Sequence, residues 1–223
     1  PLETVKTNDI LKKNPSIQKP SSRKKEETSG GVYKSLPNDA TKYTVRNVYD
    51  GDTLTLTNQK RVRLLGIDTP ELAEKQPFAQ EAKMYAKDLC HKREIYLTFP
   101  SDEQEDKYGR WLAMVWVKLD SGGYLCVNEG LVSEGLATVY LAKKETKLPN
   151  LKKLLTLQKK ARTAGLGIWS NFRDFKVVAT RNGSAFHRPS CGHLSRSRNL
   201  RTLLASAAAD EGLHPCRTCL ADM

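Results

Sequence analysis

Four short stretches carry side chains suited to work on a phosphodiester: Asp50-Gly51-Asp52-Thr53, Arg63, Asp68-Thr69-Pro70-Glu71 and Asp106-Lys107-Tyr108-Gly109-Arg110. Cleaving such an ester calls for a hard cation on the phosphate, held by carboxylate and carbonyl oxygens. It also calls for a base to orient or deprotonate water, and for fixed positive charge where the phosphorane oxygens become negative. Arginine suits that last task, because its planar fork donates two hydrogen bonds to one phosphate. The chain supplies acids, an extra carboxylate and two isolated arginines near predicted strand ends. Each stretch taken singly has an ordinary alternative. Asp-Gly-Asp makes hairpin turns, Asp68 or Thr69 would cap a following helix, and Asp106–Arg110 would serve as a plain loop. The chemical reading rests on their joint occurrence in one strand order.

A second group lies near the C-terminus. His187 and Cys191 stand four apart, Cys216 and Cys219 three apart, with about two dozen residues between the pairs. A Cys-x2-Cys turn puts two thiolates on one side of a metal and a second short pair closes a tetrahedron, so Zn²⁺ is the expected ion. Two alternatives stay open: His193 in place of His187 as the fourth ligand, and a redox disulfide between Cys216 and Cys219, for which no βαβ context is visible.

The elements that must position these groups show in the apolar periodicity and the turn residues. Residues 43–48, 53–57 and 61–67 alternate apolar and polar side chains between tight turns and predict a three-stranded antiparallel meander. Pro77 opens a helix to residue 90 with Phe78, Ala82, Tyr85, Ala86 and Leu89 at helical spacing. Strands at 94–99 and 111–119 come next, then helices at 127–135 and from 150 to about 164, the last ending near Gly165 and Gly167. Five strands with three interspersed helices predict a small closed barrel of OB type, a β-barrel plus helices in the α+β class. Beyond it, residues 177–223 predict a small zinc-stabilised α/β module, too short to hold itself without a metal or a disulfide. Cys90 and Cys126 fall in barrel elements and are expected to be buried thiols. Residues 1–42, with Pro15, Pro20, Pro37 and a run of charges, read as a flexible basic leader.

The 223 residues carry 37 Lys and Arg against 25 Asp and Glu, a net charge of +12 with a pI near 9.5, which favours an anionic partner such as nucleic acid. Mean hydropathy is −0.56, and no apolar run reaches the roughly 20 residues of a membrane span. Five cysteines form an odd set, against a fully paired disulfide framework. A chain that begins at Pro1 suggests removal of a signal peptide, a pro-segment or artificial sequence. Export to the envelope or medium and a cytoplasmic site both stay open, and a monomer is expected.

Residues 43–170 resemble the staphylococcal nuclease (thermonuclease) family through Arg63-Leu-Leu-Gly-Ile-Asp-Thr-Pro-Glu71, Asp106-Lys-Tyr-Gly-Arg110, Val127-Asn-Glu-Gly-Leu-Val and the closing Gly167-Ile-Trp-Ser170. The resemblance implies an OB barrel with three helices and Ca²⁺-dependent hydrolysis of DNA and RNA that leaves 3′-phosphate ends. It implies Asp52 and Asp68 as calcium carboxylates, the Thr69 carbonyl as a further ligand and Asp50 as their support. Glu71 takes the general-base place, Arg63 and Arg110 the phosphate-binding places, and Lys107 and Tyr108 contact the terminal phosphate of the nucleotide. Two departures stand out. The loop 72–77 is shorter than in the best-known members. Tyr140 lies within a residue of a base-packing tyrosine, yet Leu141-Ala142-Lys143-Lys144 breaks that pattern, so Tyr140 reads equally as a barrel-edge aromatic.

The C-terminal module resembles the small zinc domain that opens Ada-type DNA-repair methyltransferases, through Phe186-His187, Cys191 and His214-Pro215-Cys216-Arg217-Thr218-Cys219. There the first ligand is a cysteine that accepts a methyl group. Here it is His187, so methyl transfer is not implied. Arg196, Arg198 and Arg201 are candidate DNA contacts or plain surface. A non-catalytic barrel that binds nucleic acid or protein is the competing function, and a zinc adaptor with the barrel as scaffold is a third. Degenerate repeats lose the acids and arginines, whereas this chain keeps all of them.

Overall fold

The computed structural model describes residues 31–100, 103–142 and 148–220. The expected leader lies mostly outside them, but its last part does not behave as a tether. Strand β1 (Val32–Tyr33) pairs antiparallel with β8 (Tyr124–Cys126). The Tyr33 hydroxyl donates to both carboxylate oxygens of the fully buried Glu129, at 2.8 and 2.9 Å. A buried carboxylate must be paired, and Lys153 at 2.8 Å and Asn150 at 3.0 Å complete its shell. The barrel unit therefore includes residues about ten positions before the point where the periodic pattern begins.

The barrel itself is as expected. Strands β2 (Thr41–Val48), β3 (Thr53–Leu56) and β4 (Arg61–Leu64) form the antiparallel meander, with a register shift between Val45 and Asn47 that bends β2. β4 pairs parallel with β7 (Trp111–Lys118), and β6 (Glu94–Thr98) pairs antiparallel with both β2 and β7. The order β7-β4-β3-β2-β6 returns to β7 and closes five strands. Closure removes free edges, and alternate side chains such as Val45, Leu54, Leu56, Val62, Leu64, Ile95, Leu97 and Val115 fill the interior.

Helix α1 (Ala79–Cys90) turns Ala82, Ala86 and Leu89 onto that core, and α2 (Val127–Ser133) is buried over most of its length. Polar groups inside are satisfied. The Asn128 side chain accepts from the Val115 amide at 2.9 Å and donates to the Leu65 carbonyl at 2.9 Å, pinning α2 to β7 and to the turn after β4. The short pair β5 (Ile67–Asp68) and β9 (Thr138–Val139) fixes the segment that carries Asp68.

Helix α3 (Leu151–Thr163) joins the barrel to the C-terminal unit. Its Gln158, almost fully buried, accepts from the Val139 amide at 2.7 Å and donates to the Ala209 carbonyl at 3.1 Å. Arg162 pairs with Asp210 at 2.7 Å. The C-terminal unit is a four-stranded sheet, β10 (Lys176–Thr180), β11 (Ala185–His187), β12 (Leu200–Leu204) and β13 (His214–Pro215), in the order β12-β10-β11-β13. Helix α4 (Ala205–Asp210) covers it through Ala205 and Ala208, over Val177, Ala179 and Phe186. This core is small, as its length requires.

Candidate active site

The turn between β2 and β3 brings the first two acids together. A Cβ on Gly51 would lie 2.7 Å from Ala82 Cβ and 2.8 Å from Thr69 Cγ2, so glycine is needed for the turn to close onto α1 and the Asp68-Thr69 segment. Asp50 Oδ1 accepts from the Asp52 amide at 3.1 Å. Asp52 Oδ2 accepts from the Thr69 amide at 2.9 Å and from its hydroxyl at 3.0 Å, which ties the turn to the residue that follows β5.

Arg63 stands opposite Thr53 on β4 and points into this group. Its Nη2 lies 3.1 Å from Asp52 Oδ2 and 2.7 Å from Asp68 Oδ1, and its Nη1 donates to the carbonyls of Leu64 at 2.7 Å and Ile67 at 2.8 Å. A single guanidinium thus gathers two carboxylates that stand 16 residues apart in the chain. Burial, then the charge of Asp52, pushes the Asp50 carboxyl up to about 6. Burial also raises Asp68 against the pull of Arg63, and raises Glu71 together with the charges of Asp52 and Asp68. A cluster of hard oxygen donors that holds its negative charge at such a cost suits a divalent cation of the Ca²⁺ or Mg²⁺ kind.

Glu71 is half-buried at the rim. Its amide donates to Gln76 Oε1 at 2.7 Å, so the short 72–77 loop folds back on the residue that precedes it. Arg110 belongs to a separate arrangement. Asp106 Oδ1 accepts from the amides of Tyr108 and Arg110 at 2.8 and 3.1 Å, and its Oδ2 pairs with Arg110 Nε at 2.7 Å. Against the effect of burial, these hydrogen bonds hold the Asp106 carboxyl below its usual range. The parallel register that sets Arg63 beside Leu112 places Arg110 just before β7, the strand next to the one that carries Arg63. Tyr108 is 70% exposed, with Lys107 and Arg110 over its ring at 5.0 and 5.4 Å.

In the C-terminal unit, one ligand atom each from His187, Cys191, Cys216 and Cys219 lies within 4.8 Å of all the others. His187 Nδ1 is buried with no hydrogen-bond partner among the described residues, as a nitrogen meant for a metal would be. His193 is outside the group of four atoms that lie within 4.8 Å of one another, although its Nδ1 is 3.6 Å from Cys216 Sγ. The spatial group is therefore the His187 set. Of the three candidate surface arginines, Arg201 is bound to Glu211, whereas Arg196 and Arg198 are exposed.

A model of the staphylococcal nuclease homologue family matches residues 61–171. A thermonuclease of Staphylococcus hyicus is 34% identical over 158 residues, which cover 65% of this chain and 86% of that one. The chain belongs to the staphylococcal nuclease family. Other relatives are nucleases by name as well. The SPbeta prophage-derived endonuclease YokF of Bacillus subtilis is 37% identical over 136 residues, 57% of this chain and 43% of YokF. Endonuclease YncB of the same organism is 33% identical over 153 residues, 65% of this chain and 69% of YncB. Nuclease function is thus supported at the level of the family, and the five-stranded barrel is its OB barrel.

Two further residues meet at the acid cluster: Tyr140, which the sequence offers as a base-packing or barrel-edge aromatic, and Arg217, which escapes a reading by motif. Arg217 crosses from the C-terminal unit to Asp68, and Tyr140, on the barrel side, lies under it. Arg217 Nη2 donates to Asp68 Oδ1 at 2.6 Å and its Nε to Oδ2 at 3.2 Å. The only sequence signal was its place inside the Cys-x2-Cys turn, where a side chain that does not bind metal points outward.

Proposed function

We propose that this protein is a calcium-dependent nuclease that hydrolyses phosphodiester bonds of DNA, RNA or both and leaves 3′-phosphate ends. The observation that carries the reading is the convergence of Asp52, Asp68 and Arg63 within hydrogen-bond distance, with Glu71 at the rim of the same acid cluster. Asp52, Asp68 and the Thr69 carbonyl would hold the ion, supported by Asp50. Bound there, the ion would supply positive charge to the phosphate and raise its susceptibility to attack. Glu71, its carboxyl raised by burial and by its acidic neighbours, takes a proton from water. The water oxygen bonds to phosphorus, the bond to the 5′ oxygen breaks, and that oxygen collects a proton and leaves as a hydroxyl. Arg63 and Arg110 offset the charge on the phosphorane oxygens, and Lys107 and Tyr108 contact the terminal phosphate of the nucleotide. The chain acts as a monomer.

In the same reading, His187, Cys191, Cys216 and Cys219 bind a structural Zn²⁺ in a module resembling the zinc domain of Ada-type proteins. Three soft thiolates and one imidazole suit that ion, and the buried nitrogen of His187 supports it.

The test is cleavage of single-stranded DNA and of RNA by protein stripped of loosely held ions, with Ca²⁺, with Mg²⁺ and with chelator. Expected is full turnover with Ca²⁺, less with Mg²⁺ because it demands tighter octahedral geometry, and none with chelator. End-labelling of the products reads which side of the phosphate was cut. Equal cleavage with chelator present overturns the assignment.

A further inference from the structure

Arg63 and Arg110, the two arginines of the family pattern, are both engaged by the protein itself. Nη1 and Nη2 of Arg63 make four contacts, two with backbone carbonyls and two with Asp52 and Asp68, and its side chain is only 11% exposed. Arg110 is tied to Asp106. Arg217 differs from both. It uses Nε and Nη2 on Asp68, its Nη1 has no hydrogen-bond or ion-pair partner among the described residues, and its side chain is 56% exposed.

Its placement is built. Residues 216–219 are clamped at both ends by the candidate metal ligands Cys216 and Cys219. The Cys216 amide donates to the Phe186 carbonyl at 2.9 Å, which anchors the turn to β11. Above the barrel, Arg217 lies over the Tyr140 ring at 5.1 Å, and Tyr140 in turn meets the His214 ring at 4.4 Å. A cation laid on an aromatic shelf keeps its direction while its outer edge stays in water. A small cavity between the two units opens at this point, lined by Asp68, Thr69, Pro70, Thr138, Pro215 and Arg217.

We propose that Arg217 is a substrate-binding residue of the nuclease site, delivered by the Cys/His module to take a phosphate of the bound strand, with Tyr140 as its shelf. This rests on the nuclease reading above and adds a contact from outside the barrel. A planar fork half in water and half on Asp68 has donors free for one more anion, next to the carboxylates where the scissile phosphate must sit. The module then acts as part of the substrate cleft.

The test compares the parent with Arg217→Ala and Arg217→Lys. Binding of a labelled, short single-stranded DNA is measured without added calcium across a salt series, and KM and kcat are measured with calcium. Arg217→Ala is expected to weaken binding about tenfold. Its slope of log affinity against log salt should become shallower by about 0.7, the signature of one lost phosphate contact on a single strand. KM should rise with kcat little changed. Arg217→Lys should keep the slope and raise KM by less. Zinc content checks that the turn is intact, and if the alanine variant loses metal, the lysine variant decides, with an unchanged KM counting against the proposal. Unchanged affinity and slope in Arg217→Ala overturn it. So does faster cleavage at low calcium with unchanged affinity, because Arg217 would then be a plug on Asp68. A parent that binds DNA but does not cleave it refutes the nuclease reading instead, and leaves the binding series to judge Arg217.

Discussion

Arg63 has two jobs that a single substitution would expose together. It bridges Asp52 and Asp68 and satisfies two buried carbonyls, so removing it leaves two carboxylates facing each other without a counter-charge. Arg63→Ala is expected to lower stability by about 3 kcal/mol in the metal-free protein, with much of that returned by added Ca²⁺. Urea unfolding with and without calcium measures it. Arg63→Lys keeps the charge but loses the fork, and turnover should fall by about a hundredfold, on the order of 3 kcal/mol of transition-state stabilisation. Near-parent rates in both Arg63→Lys and Arg110→Lys would mean that these arginines only hold the protein together. The cysteines separate by environment as well. Burial pushes the Cys90 thiol up to about 12 and raises Cys126 too, and neither is exposed. With metal removed at pH 8, a thiol reagent should label Cys191, Cys216 and Cys219, and reach Cys90 and Cys126 only after unfolding.

The elements are held in register by a few contacts that tolerate little change. The end of α2 meets the turn after α3 through two glycines. Gly135 has φ +67°, and a Cβ there would lie 2.3 Å from the Leu166 carbonyl oxygen, while one on Gly167 would lie 2.2 Å from the oxygen of Gly135. Gly135→Ala combines backbone strain with a clash against main chain that cannot move aside. A loss of more than about 2 kcal/mol is expected from the urea midpoint. Asn128→Ala would strand the Val115 amide and the Leu65 carbonyl in the core and should cost about 3 kcal/mol. A loss under about half that size would mean that water replaces the amide and that α2 is held mainly by packing.

At the level of the whole molecule, the barrel and the C-terminal unit are joined by Gln158, by the pairs of Asp210 with Arg162 and Lys159, and by Arg217 on Asp68. A division of labour in which the module could be lost without touching the nuclease site is at odds with this arrangement. Metal analysis should find about one zinc per chain, and Cys216→Ser with Cys219→Ser should abolish it. The module core is small, so that double variant should melt the unit while the barrel keeps its cooperative unfolding. Cleavage of short strands should persist with raised KM, because the barrel residues proposed for catalysis stay in place and the proposed Arg217 contact is lost. Loss of kcat with a folded barrel would show that the module positions the acids themselves.

The barrel and its chemical groups were legible from local pattern. Alternation with period 2 and tight turns specify a meander, helical spacing specifies α1, and Asp-Gly-Asp, Asp-Thr-Pro-Glu and Cys-x2-Cys keep their meaning because each acts within one turn of chain. Tyr33 carried no such signal. It sits in a two-residue strand that exists only because β8 and the buried Glu129 are there to receive it. Spacing also left both His187 and His193 open, since each lies within reach along the chain, and it is the pairing of β11 with β10 and β13 that brings His187 within 4.8 Å of all three thiols. Arg217 stands 149 residues from Asp68, and no local period records such a pair. Short-range geometry belongs to the sequence because steric and turn preferences act over a few bonds. The meeting of the two units depends on how buried surface is shared across the finished fold, and that was decided only in three dimensions.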